Sequence, residues 1–159
     1  EEECLHTLAL HQPVAFDLRF VVATLKINSD LERIADLAAN ICEQTLRLVE
    51  GPTLAETPVD LPKMARSVRR MLKRSLDALI NVDPGLARQV CEDDDSIDQV
   101  HRLTYGRAAS LMRDNPHQIE QVLHMLSISR HLERIADHCV NICEDVLYMA
   151  RGDIARHRD

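Results

Sequence analysis

Apolar and polar residues recur along most of this chain with the period of an amphipathic α-helix. The pattern predicts helices over about 14–49, 61–81, 84–112 and 117–149, and residues 1–11 read as the end of another helix. A proline stands at each break, in Gln12-Pro13, Gly51-Pro52, Asp83-Pro84 and Asn115-Pro116. Proline lacks a backbone donor and restricts the residue before it, so helices end at such points. The sequence therefore predicts an all-α fold.

One stretch of helical sequence occurs twice. Residues 25–48 and 126–149 are identical at 13 of 24 positions and share the run Leu-Glu-Arg-Ile-Ala-Asp. Six identical residues in a row exceed what amphipathic patterning produces, so the chain consists of two homologous halves. We predict that 61–152 form a complete three-helix bundle, that 51–60 are a linker, and that 1–50 are the remainder of a first bundle. The offset of 101 residues implies that about one and a half helices are missing before Glu1.

This truncation predicts that segment 1–50 exposes apolar surface and associates with another chain, because large exposed apolar patches usually mark interfaces.

Composition narrows the range of functions. The net charge is −7 and aromatic residues make up 3%, which argues against nucleic acid as a partner. No apolar run approaches the roughly 20 residues of a membrane span. Five cysteines without a CxxC pair indicate a reducing cytoplasm, and Cys139 and Cys143 are predicted to be small core residues. The basic face of the helix over 61–81 is either a solvated face or a docking surface for an acidic partner.

Paired carboxylates are the candidate chemistry. Glu32 with Asp36, and Glu133 with Asp137, stand four residues apart in the two repeats, and Asp94 with Asp98 form a third pair. Side chains at i and i+4 share one helix face. Asp98 lies about as far before the Asn115-Pro116 turn as Glu133 lies after it. If the two helices joined by this turn are antiparallel, the pair Asp94 and Asp98 and the pair Glu133 and Asp137 lie at the same height along the bundle. The sequence predicts a metal site of four carboxylates in the second half; the alternative is surface charge balanced by Arg33 and Arg134.

Other residues suggest no catalysis. His117, His124, His131 and His138 recur every seven residues, and they lie on nearly the opposite side of their helix from Glu133, so we interpret them as a surface or interface stripe. No phosphate-binding loop, nucleophile elbow or HExxH motif occurs. We therefore predict a non-enzymatic protein. Two alternatives stay open. A carboxylate-bridged metal enzyme would show redox turnover with oxygen, and a metal-free helical adaptor would contain no metal in elemental analysis.

The sequence resembles the PhoU family. The resemblance lies in Gln12-Pro13-Val14-Ala15, in Asp30 to Asp36, in Asp83 to Ala87 with Asp94 to Asp98, and in His131 to Cys143. It implies tandem three-helix bundles in a cytoplasmic, dimeric regulator of phosphate uptake and of the phosphate-starvation response. The implied partners are the ATPase subunit of the phosphate ABC transporter and a phosphate-sensing histidine kinase.

The resemblance also implies metal ligands: Glu32, Asp36, Asp94, Asp98, Glu133 and Asp137. Asn40 and Asn141 are weaker candidates on the same faces. The implied metal is iron, with zinc, nickel, manganese and magnesium as alternatives. The family often has glycine where Ala35 and Ala136 stand.

Overall fold

The computed structural model of the chain describes residues 2–54 and 56–151, and of residue 151 it describes only the backbone. The predicted segments also include Glu1, Ala55 and residue 152, which lie outside the described residues. Five α-helices and one 3₁₀ turn follow in chain order: α1 Glu2–His11, α2 Ala15–Glu50, α3 Leu61–Asn81, α4 Pro84–Asp114, the turn Pro116–Gln118, and α5 Ile119–Arg151. The described residues contain no strand, which confirms the all-α prediction. No described helix is apolar over a length sufficient to cross a bilayer.

Local capping explains where the bundle helices begin. The Asp60 carboxylate accepts a hydrogen bond from the Lys63 backbone N–H at 2.9 Å, and proline occupies the first turn of α3. Asp83 accepts from the backbone N–H groups of Gly85 and Leu86 at 2.8 and 3.0 Å. These side chains satisfy donors that have no partner inside the helix. The breaks predicted from proline are therefore confirmed, and α4 runs two residues further than predicted.

Helix α5 lies at the centre of the fold, where it packs against α2, α3 and α4. Cys139, Ile142, Cys143, Val146 and Met149 of α5 are all fully buried. The prediction that Cys139 and Cys143 are core residues is confirmed. One continuous apolar core joins buried side chains of α2, α3, α4 and α5, so the two halves of the chain share a core.

The two repeat helices, α2 and α5, run antiparallel. Near the start of α2, Lys26 Nζ lies 3.5 Å from Asp145 Oδ1, which is near the end of α5. Near the end of α2, Gln44 Oε1 lies 2.8 Å from His124 Nδ1, which is near the start of α5. Among the described helices, α2 packs most closely against α5. Its side chains also border α3, where Ile27 and Leu31 line a cavity together with Leu79. Helix α5 is therefore the main element that joins the first repeat to the second bundle.

Apolar side chains are exposed at the start of the chain, as predicted for segment 1–50. Helix α1 exposes Leu5 and Leu10, and the first turns of α2 expose Phe16, Leu18 and Phe20. Phe16 and Phe20 stack on each other with ring centroids 6.3 Å apart. The predicted association of this surface with another chain stays a prediction.

Candidate metal centre

Three carboxylates converge between α4 and α5. Asp94, Asp98 and Asp137 each place an oxygen within 4.8 Å of the others. Asp94 and Asp98 lie one turn apart on α4, and Asp137 reaches them from α5 because the two helices run antiparallel through the Asn115-Pro116 turn. These three oxygens form the candidate metal centre.

Burial and mutual repulsion perturb these groups. The pKa of Asp94 is raised from 3.8 to about 6, first by burial and then by the negative charges of Asp98 and Asp137. Burial, followed by the charge of Asp98, also raises the pKa of Asp137. Like charges at close range disfavour the ionised forms. The metal-free site is therefore electrostatically unfavourable near neutral pH.

The residues present fit a bound cation. Oδ1 of Asp94 is buried and has no hydrogen-bond partner among the described residues. An unsatisfied buried acceptor is costly, and a cation is one group that can satisfy it. The donor set consists of carboxylate oxygens, which suit hard cations and iron. Asp94, Asp98 and Asp137 would hold such an ion.

Glu133 lies beside the three aspartates without joining them. Its pKa is raised by burial and then by Asp137 and Asp98, so its carboxylate is in their electrostatic field. Its oxygens fall outside the group of three that could share one ion. Arg130 and Arg134 act in the opposite direction on the pKa of Glu133, so guanidinium groups offset part of its charge. The structure thus brings together three of the four carboxylates predicted for the second half.

Within the part of the chain that the structure describes, the first repeat has no comparable group of carboxylates. Glu32 and Asp36 are exposed on α2, and Glu32 accepts a hydrogen bond from the Asn28 amide at 3.2 Å. Among the described residues, neither joins a group of three potential ligands close enough to share an ion. Asn40 is exposed as well, and Asn141 donates to Asp30 at 3.3 Å.

Sequence reasoning missed His101, which borders the site. His101 lies one turn beyond Asp98 on α4, and its Nδ1 is 2.9 Å from the Ser129 hydroxyl of α5. Burial lowers the pKa of His101, while the charges of Asp98 and Asp137 oppose that shift. The sequence contains a signal for His101, because Asp94, Asp98 and His101 are spaced i, i+4 and i+7, which places them on one face of a helix.

Two histidines of the stripe, His124 and His138, lie at the interface between α5 and α2. His138 Nδ1 is 2.8 Å from Asp30 Oδ1, and both side chains are largely buried. His124 is bonded to Gln44 at 2.8 Å, and Nδ1 of His131, midway between them, is buried without a partner among the described residues. His117 is exposed in the 3₁₀ turn. The interface interpretation is thus confirmed for His124 and His138, and no member of the stripe is in the metal centre.

We expect Asp30→Ala to lower the free energy of unfolding by about 2 kcal/mol, because it leaves His138 and Asn141 without their buried acceptor. Urea denaturation measures this loss. Asp36→Ala, which removes an exposed carboxylate from the same helix, is the control and should change stability by less than about 0.5 kcal/mol. An equal effect of both substitutions would contradict a stabilising role for the buried pair.

We expect Asp94→Asn to stabilise the metal-free chain near neutral pH. The folded chain holds the Asp94 proton up to about pH 6, whereas the unfolded chain loses it near 3.8, so ionisation lowers stability as the pH rises between these values. The gain should be about 1 kcal/mol above pH 6, because solvent still screens a half-buried carboxylate, and it should shrink towards pH 4. Thermal unfolding of chelator-treated protein across this range measures it. Asp95→Asn, which removes an exposed carboxylate next to Asp94, is the control and should stabilise the chain less than Asp94→Asn does.

Comparison with known proteins places the chain in one family. The PhoU domain family model matches residues 1–45 and 61–146. The phosphate-specific transport system accessory protein PhoU homolog of Pseudomonas aeruginosa is 34% identical over 157 residues, covering 99% of this chain and 65% of that protein. The homolog of Aquifex aeolicus is 36% identical over 158 residues, covering 99% of this chain and 71% of its own length. The chain thus spans slightly less than two thirds of the Pseudomonas aeruginosa relative.

Solved structures agree with the sequence comparison. The crystal structure of PhoU from Pseudomonas aeruginosa superposes with a TM-score of 0.91 at 34% identity, covering 96% of this chain and 73% of that one. The crystal structure of the phosphate transport system regulatory protein PhoU from Streptococcus pneumoniae superposes with a TM-score of 0.87 at 33% identity, covering 98% of this chain and 72% of that one. Since sequence and fold agree over nearly its whole length, the chain belongs to the PhoU family.

Proposed function

We propose that the chain takes part in a regulator of phosphate uptake. The observation that carries this proposal is its similarity, over 99% of its length, to proteins named phosphate-specific transport system accessory proteins. The regulator acts without catalysis, in the cytoplasm and as a homodimer. Its partners are the ATPase subunit of the phosphate ABC transporter and a phosphate-sensing histidine kinase, through which it restrains uptake and the starvation response when phosphate is ample.

A metal ion is the proposed cofactor, held by Asp94, Asp98 and Asp137 with Glu133 beside them. Iron is the first candidate, and zinc, nickel, manganese and magnesium are alternatives. When bound, the ion supplies positive charge that offsets the repulsion among these carboxylates. The buried, unpartnered oxygen of Asp94 supports this assignment.

Helix α5 connects the carboxylates to the first repeat. Asp137 faces the metal centre, and the next residue, His138, is bonded to Asp30 of α2 at 2.8 Å. A rotation or shift of α5 at Asp137 therefore also moves the α2 contact. By this connection, the charge state of the carboxylates biases how α2 is held, which is the physical basis we propose for regulation.

The test is phosphate control in cells. In a strain that lacks the gene, we expect uptake and a starvation-induced phosphatase reporter to stay high in ample phosphate. Restoring the gene should return both to the low level. Reporter activity that stays phosphate-controlled in the deletion strain would refute the proposed function, and a catalytically dead transporter mutant separates effects on transcription from effects on uptake.

A further inference from the structure

Five cations line the outer face of α3, which we call the basic stripe: Lys63, Arg66, Arg69, Arg70 and Lys73. All five are exposed, and within the described part of the chain none of them forms an ion pair. At 100° per residue they cover about 120° of the helix, opposite the buried residues Met64, Val68 and Met71. The stripe stands out because the chain as a whole carries a net charge of −7.

A groove between α3 and α4 borders the stripe. Its volume is about 450 Å³, and Lys63 and Met64 of α3 and Ile97 of α4 are among its lining residues. Met64 and Ile97 are buried and form an apolar floor, whereas Val100 and Leu103 are 39% and 55% exposed along one wall. The groove thus offers apolar contacts that no described element covers.

The charges at the groove rim are mainly positive. Lys63 and Arg107 both line it, and Arg70 stands two turns beyond Lys63 on the same edge of the stripe. The single carboxylate among the lining residues, Asp60, is occupied as the N-cap of α3. An apolar floor between cationic rims is complementary to an amphipathic segment whose polar flanks are acidic.

The dimensions favour a helix as the occupant. Along α4 the lining residues run from Ser96 to Arg107, which is about 16.5 Å at 1.5 Å per residue, or three turns of a helix. An anionic bilayer fits less well, because Met64 and Ile97, which form the apolar floor, are buried below the rim and a flat surface does not reach them. Glu92 and Asp95, exposed on α4 outside the groove lining, would also repel an anionic surface that extends beyond the groove.

We infer that the groove between α3 and α4 is a docking surface for an acidic amphipathic helix of a partner protein. Leu and similar side chains of that helix fill the groove against Val100 and Leu103, while its carboxylates meet Lys63, Arg70 and Arg107. This inference deepens the proposed function, on which it rests, by naming a surface that holds a regulatory partner. It needs no ion at the metal centre.

A synthetic peptide tests the surface directly. The probe is a fluorescent peptide of about 15 residues with leucine at helical i, i+4, i+7 positions and glutamate on both flanks, measured by anisotropy with the 159-residue chain. We expect saturable binding that weakens roughly tenfold between low and moderate salt. A peptide of the same composition in scrambled order should bind at least about tenfold more weakly, because its leucines no longer share one face.

Two matched pairs of variants locate the contact. Lys63→Glu, at the groove rim, should weaken peptide binding roughly tenfold, whereas Arg69→Glu, at the far edge of the stripe, should change it less than about threefold. Leu103→Asp should weaken binding at least about tenfold, whereas Leu123→Asp, on α5 and similarly exposed at 50%, should not. Circular dichroism verifies that each variant stays folded.

Several outcomes would overturn the inference. One is an absence of peptide binding, and another is binding that Lys63→Glu and Leu103→Asp leave unchanged. A third is tighter binding to phosphatidylglycerol vesicles with the same variant pattern, which makes the surface a membrane contact. A fourth is that the chain forms a dimer in solution and that Lys63→Glu dissociates it. The groove would then hold a second copy of this chain and not a partner protein.

The cell reporter separates this inference from the proposed function. Loss of phosphate control with Leu103→Asp, but not with Leu123→Asp, supports the docking surface. Phosphate control that survives Leu103→Asp while peptide binding is lost overturns the docking role and leaves the proposed function intact. A deletion strain with unaltered phosphate control refutes the proposed function, whatever the peptide result.

Discussion

Replacing both Asp98 and Asp137 with asparagine is expected to abolish metal uptake by this protein. Each variant side chain keeps its shape but loses the charge that attracts a cation, and only Asp94 of the three-oxygen group stays ionisable. For the wild type, saturating metal should raise the unfolding temperature by about 5–10 °C, since a ligand at 100 times its Kd adds about 2.7 kcal/mol. The double variant should show no such increase. Elemental analysis and thermal unfolding, with and without added iron or manganese, measure both effects.

The metal-free double variant should unfold at the same temperature as the metal-free wild type or above it. The reason is that two of three mutually repelling carboxylates have been removed from a partly buried site. The matched control is Glu92→Gln with Asp95→Asn, which removes two exposed carboxylates from α4. If the double variant binds as much metal as the control, these carboxylates are surface charge and the assignment is wrong.

Ile142→Ala is expected to lower the free energy of unfolding by about 3–4 kcal/mol. Ile142 is fully buried on α5, the helix that packs against α2, α3 and α4. Truncation removes buried apolar surface and leaves a cavity that rigid neighbouring helices fill only in part. For a chain of this size the unfolding temperature should fall by about 6–16 °C. Calorimetry and urea denaturation measure the loss.

Leu123→Ala is the control for this prediction, because Leu123 is also on α5 but is 50% exposed. It should cost less than about 1 kcal/mol. Because one core joins both halves of the chain, Ile142→Ala should shift a single transition measured by circular dichroism and by fluorescence of a label on α2. Separate transitions for α2 and for the bundle would contradict a shared core.

The local features of this fold follow from the sequence. Pro13, Pro84 and Pro116 end or begin helices wherever they stand, because the restriction acts on the neighbouring backbone and needs no tertiary contact. Asp60 and Asp83 cap helices through backbone groups two or three residues away. Spacing by four residues likewise places Asp94 with Asp98 on one face, since helix geometry alone fixes it. The repeat at 25–48 and 126–149, with the resemblance it carries, was enough to predict the family.

Contacts between helices were decided by tertiary packing. Asp137 joins Asp94 and Asp98 while Glu133, one turn away on the same face, stays outside their group. His138 meets Asp30 because α2 lies antiparallel on α5. Sequence spacing sets positions along one helix, but the rotation and offset of one helix against another depend on how all the buried side chains of the core fit together. That fit decides which carboxylates can share an ion, and no pattern within a single helix contains it.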